Sequence, residues 1–160
     1  MQNYLKPVRG SARRGLALLA FATALVLPMH RANAQTLEVQ GAWARATVPG
    51  QHATGAFMTL TAPEGATLLA VRTPVAGHAS VHEMKTEDGV MKMRELANGL
   101  DLPAGKAVQL APGAYHVMLM DLKVALRPNT SIPLTLVLKD ARGASFEKDI
   151  RASVSLLPPQ

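Results

Sequence analysis

Apolar and polar residues alternate along most of the chain from residue 37 onward, and no amphipathic run keeps a helical period for more than a couple of turns. Residues 37–46, 55–61, 67–73, 80–86, 90–96, 107–110, 115–124, 132–138 and 145–154 read as strands. Turn formers punctuate them, among them Val48-Pro49-Gly50, Pro63-Glu64-Gly65, Asp88-Gly89, Asn98-Gly99, Pro112-Gly113 and Arg127-Pro128-Asn129. Nine short strands with turns at this spacing predict an all-β domain, an antiparallel β-sandwich with Greek-key connections, with a barrel as the alternative.

The first 34 residues break this pattern. Lys6, Arg9, Arg13 and Arg14 precede an apolar run from Leu16 to Leu27, and Ala32-Asn33-Ala34 follows as a small-x-small triplet. That layout predicts a secretory signal peptide over residues 1–34, cleaved after Ala34, with a periplasmic domain over residues 35–160. The alternative is a membrane-anchoring helix that stays attached, although the apolar run is short for a span. The leader also changes the charge. It holds five of the 17 Lys and Arg residues and none of the 11 Asp and Glu, which leaves twelve against eleven in the mature domain. The whole-chain charge of +6 therefore describes the leader and carries no argument for nucleic acid or an anionic membrane as partner. The few aromatics are not interleaved with basic residues as a base-stacking surface would need.

No cysteine is present. The exported domain must then hold together by packing alone, and thiol–disulfide chemistry, a blue-copper centre and a cysteine-linked lipid are excluded. A soft metal site in such a chain has to be built from histidine and methionine. Asp88-Gly89 is a two-residue hairpin signal; if it forms the turn, Glu87 pairs with Val90, Thr86 with Met91, Met84 with Met93 and His82 with Glu95. Side chains alternate faces, so His82 and Met93 become diagonal neighbours on one face. In Tyr115-His116-Val117-Met118-Leu119-Met120 the same alternation places His116, Met118 and Met120 together. His82, Met93, His116 and Met118 are the candidate metal ligands, provided the fold brings the two segments together. Neutral imidazole and thioether donors favour Cu(I) over harder ions.

Each of these residues alone has a structural reading, since methionine fills irregular core gaps and a lone histidine is most often a hydrogen-bonded structural residue. Their concentration changes the picture: five of the six methionines after the leader lie in the two segments that also hold His82 and His116. His52 and His78 read as solvated loop residues. Glu83 points to the face opposite the candidate ligands, and Ser80 has no oriented acid with which to form a nucleophilic triad, so no enzyme is expected.

These residues resemble the PCuAC family of periplasmic copper chaperones. The family pattern is a histidine, ten residues, a methionine, a longer interval and His-x-Met. Here ten residues separate His82 from Met93, twenty-two separate Met93 from His116, one more than the usual interval, and Met118 completes the motif. Pro112-Gly113-Ala114-Tyr115-His116-Val117-Met118-Leu119-Met120, Gly89-Val90-Met91-Lys92-Met93-Arg94 and Trp43-Ala44-Arg45-Ala46 extend the likeness. The resemblance implies a cupredoxin-like sandwich that binds one Cu(I) per chain and hands it to a copper-accepting protein such as a cytochrome c oxidase subunit; a monomer is expected. A copper buffer with the same site, and a metal-free interaction module with methionine in its core, are the alternatives.

Overall fold

The computed structural model describes residues 36–159, and the leader predicted over residues 1–34 lies outside them. Every regular element among the described residues is a strand: β1 Glu38–Arg45, β2 Ala53–Thr61, β3 Ala66–Arg72, β4 Ala76–Glu87, β5 Val90–Glu95, β6 Leu100–Leu102, β7 Ala107–Leu110, β8 His116–Leu122, β9 Ser131–Asp140 and β10 Ser145–Ser155. They hydrogen-bond in the order β5-β4-β8-β2-β1-β10-β9-β3-β6, and β7 joins β2 alongside β8. β8 takes the first part of β2, with Gly55 opposite Met118, and β7 takes the last part, with Met58 opposite Leu110. The described residues form an all-β, cupredoxin-like sandwich.

Alternation explains the core. Ile132, Leu134, Leu136 and Leu138 on β9 are buried at every second position, and Leu60, Leu68, Leu102, Leu110, Val117 and Leu119 from other strands close against them. Asp140 ends the β9 pattern as a buried carboxylate whose Oδ1 accepts from the backbone N–H of Arg142 at 2.9 Å and of Ala144 at 2.8 Å, shaping the turn into β10.

Three features depart from the sequence reading. The sandwich is not wholly antiparallel, because β1 runs parallel to β10, with Trp43 opposite Ser153. A tenth strand, β6, lies between the Asn98-Gly99 turn and Pro103, and its three residues are too few to display alternation. Finally β4 begins at Ala76, so His78 belongs to a strand and not to a loop. Gly77 serves close approach in this strand: a Cβ there would stand 2.9 Å from the Asp121 Cβ on β8.

Candidate metal centre

Asp88 and Gly89 turn the β4–β5 hairpin with φ of 52° and 77°, the pair of left-handed residues that a type I′ turn requires. The turn sets the register as expected: Glu87 faces Val90, Thr86 faces Met91, Met84 faces Met93 and His82 faces Glu95. The other edge of β4 pairs with β8, setting His82 opposite His116, Ser80 opposite Met118 and His78 opposite Met120. One strand therefore joins both halves of the motif. The imidazoles of His82 and His116 are direct cross-strand neighbours, with ring centroids 5.9 Å apart and planes inclined at 40°.

The donors share the sheet face opposite the core. Val81, Val117 and Leu119 point inward and are buried, so their sequence neighbours point outward. Met93 and Met91 are 50% and 57% exposed, Met84, Met118 and Met120 are half-buried, and only Met58 of the described methionines is part of the hydrocarbon core. Methionine on this face is therefore not core filling.

His116 is fixed from two sides. Its Nδ1–H donates to the Ala114 carbonyl at 3.1 Å, and the same carbonyl accepts the Met84 backbone N–H at 3.3 Å, tying the Pro112-Gly113 turn to β4. Beneath it, Phe57 lies 6.4 Å away between ring centroids and packs on Trp43 at 4.6 Å. Gly55 leaves the space that the Phe57 ring takes, since a Cβ at residue 55 would fall 2.7 Å from Cζ. A cleft of about 350 Å³ opens beside this floor, walled by Arg45, Phe57, Met84, His116 and Met118.

His82 is held differently. Its Nε2 lies 2.9 Å from Ser80 Oγ, while Nδ1 is buried with no hydrogen-bond partner among the described residues. Burial lowers its pKa from the ordinary 6.5, the His116 charge and then His78 add to that, and the Glu95 carboxylate opposes it. The neutral ring, which is the form that ligates, is favoured. Glu83 faces away and pairs with Arg94 at 2.8 Å, the main reason its carboxyl pKa is lowered. A soft, uncharged donor set beside an orphaned buried nitrogen suits a monovalent soft cation.

All four candidate ligands thus lie on the three adjacent strands β5, β4 and β8. Met93 sits on the exposed edge strand, diagonal to His82, and Met84 lines the cleft with His116 and Met118. His52 is exposed in the loop before β2, as expected. Sequence reasoning weighed Ser80 only as a nucleophile and did not place Phe57 at the site; an outward-facing residue two positions before a candidate ligand was the available signal for Ser80.

The family model described as "Putative lipoprotein LpqE-like" matches residues 37–150. The chain belongs to the LpqE-like family. A relative in Leifsonia xyli subsp. xyli, "Putative lipoprotein Lxx21020", is 33% identical over 108 residues, which are 68% of this chain. The match spans 65% of that relative's length, just under two thirds. Among solved structures this LpqE-like chain is similar to the apo PCuAC domain from PmoF1, with a TM-score of 0.59 and 24% identity over 76% of this chain and 94% of that domain. It is also similar to apo DR1885 from Deinococcus radiodurans, with a TM-score of 0.54 and 26% identity over 96% of each chain. The Cu(I) form of DR1885 matches with a TM-score of 0.53 and 30% identity over 79% of this chain and 85% of that one. These likenesses place the fold of the LpqE-like chain with PCuAC domains.

Proposed function

We propose that the protein is a copper-binding metallochaperone of the periplasm that takes one Cu(I) per chain through His82, Met93, His116 and Met118 and passes it to a copper-accepting protein. The observation that carries this reading is the direct pairing of His82 with His116, flanked on the same face by exposed or half-exposed thioethers. The likeness to a solved structure named as the Cu(I) form of DR1885 supports it. Four neutral ligands leave the charge of the ion uncompensated, so binding is weaker than at thiolate sites and release is easier. A site on an open sheet face lets the ligands of an acceptor replace these one at a time. The acceptor we propose, on the family resemblance alone, is a copper centre of cytochrome c oxidase, and no enzymatic step is needed for delivery.

Competition titration of the domain against a Cu(I) chelator under reducing conditions tests the proposal. One ion per chain is expected, with weakened binding in His82→Ala and His116→Ala and unchanged binding in His52→Ala. Equal losses in all three variants, or no uptake by the parent, would refute it.

A further inference from the structure

Ser80 is a polar side chain at 6% exposure, set opposite Met118 on the ligand face and 2.9 Å from Nε2 of His82. Two tautomers satisfy that contact. If the hydroxyl donated to Nε2, the ring proton would sit on Nδ1, a buried N–H with no acceptor, which costs about 1–3 kcal/mol. If Nε2–H donates to Oγ, Nδ1 instead carries a bare lone pair, the group a soft cation takes up. Rotating the ring by half a turn would present carbon to the hydroxyl, so the contact also fixes the orientation of the ring. At His116 the arrangement is reversed, because the Ala114 carbonyl can only accept and Nδ1 must hold the proton.

We propose that Ser80 is a positioning residue that keeps the proton of His82 on Nε2, so that His82 ligates through Nδ1 while His116 ligates through Nε2. This rests on the copper reading above and extends it to the nitrogens used. Histidines that bind metals normally give their second nitrogen to a hydrogen-bond partner that sets tautomer and ring orientation. In this chain one partner is a side chain and the other a backbone carbonyl. A substitution can therefore remove the first and not the second.

The test is nitrogen-15 NMR of the histidine rings, first in the apo protein above pH 7.5 and then with Ag(I), a spin-active substitute for Cu(I). In the apo protein His82 should be protonated at Nε2 and His116 at Nδ1. With Ag(I), scalar coupling should appear at Nδ1 of His82 and Nε2 of His116. Ser80→Ala should abolish the single tautomer at His82, allow coupling at its Nε2 and weaken Ag(I) binding about tenfold, as loss of an outer hydrogen-bond partner does. Ser80→Thr keeps the hydroxyl and should restore the parent pattern, with the amide spectrum reporting that each variant is folded. Coupling at Nε2 of His82 in the parent, or an unchanged tautomer and affinity in Ser80→Ala, would overturn the inference. Absence of coupling at either histidine would overturn the copper reading itself, and a parent apo His82 protonated at Nδ1 would overturn the tautomer assignment independently of any metal.

Discussion

The β8 part of the candidate site and the β5 part differ in what holds them. His116 and Met118 alternate with Val117 and Leu119, both at 0% exposure in the core, and β8 is paired along both edges, by β4 and β2. Met93 lies on β5, which among the described strands pairs only with β4, ends the sheet and is exposed at every position. The same donor chemistry is thus mounted on a rigid support at one end and on a free edge at the other. Local opening requires few buried contacts, and β5 has few. On the copper reading proposed above, this asymmetry assigns retention to β8 and exchange to β5.

Ligand truncation tests that assignment most severely. His116→Ala should weaken Cu(I) binding about 100-fold or more, beyond the range seen for outer hydrogen-bond partners, because a preformed ligand is removed. Met93→Ala should weaken it by about tenfold and act mostly on the release rate, since an edge donor adds little to organisation of the apo site. Competition titration gives the affinities, and stopped-flow transfer to a chelator gives the rates. Equal effects of the two substitutions on both would end the distinction between the halves.

Overpacking the floor is the next test. Gly55→Ala would place its methyl 2.7 Å from Phe57 Cζ, and Phe57 is hemmed in by Trp43. We expect a loss of about 1–3 kcal/mol in urea unfolding, together with changed Trp43 fluorescence and weaker copper binding, because the ring under His116 must move. A stable variant with unaltered copper affinity would show that the β8 support is softer than its burial suggests.

The hairpin register and the two faces of β8 are legible in the sequence, whereas the strand order that makes β5 an edge is not. The Asp88-Gly89 turn specifies the hairpin register down to His82 opposite Glu95, because two residues and a period of two leave no freedom. The inward and outward faces of β8 follow from the same period. What local pattern cannot convey is which distant edges meet. The pairing of His82 with His116 and the parallel pairing of β1 with β10 join residues far apart in the chain, and only the strand order of the sheet decides them. His78 reads as a loop residue because Gly77 beside it looks in sequence like a turn former, although in the fold it permits close packing against β8. Ser80 reads only as a nucleophile because the hydroxyl gains a positioning role only when the ring of His82 is oriented beside it.

A smaller effect is expected at the hairpin tip. Gly89 has φ of 77°, and a Cβ added there would meet nothing within 4 Å, so Gly89→Ala introduces backbone strain and no clash. The cost should be about 1 kcal/mol, confined to β4 and β5. Hydrogen exchange should speed up at β5 amides and leave β8 amides unchanged. Equal acceleration in both strands would mean that the two halves open as one unit, removing the physical basis for separate roles.

Acid titration probes the strand between the halves. Burial, the His116 charge and His78 place the His82 pKa below 6.5, against the pull of Glu95. His116→Ala should therefore raise the His82 midpoint in an NMR titration of the apo protein, and Glu95→Gln should lower it further. A group whose folded pKa is lowered binds its proton more readily when unfolded, so the His82 contribution to stability is undiminished above pH 6.5 and declines as pH falls below that value. The two substitutions act from opposite edges of β4, one from β8 and one from β5. Shifts of opposite sign would show that both edges act on the His82 ring, and a midpoint moved by neither would place that ring outside the reach of either half.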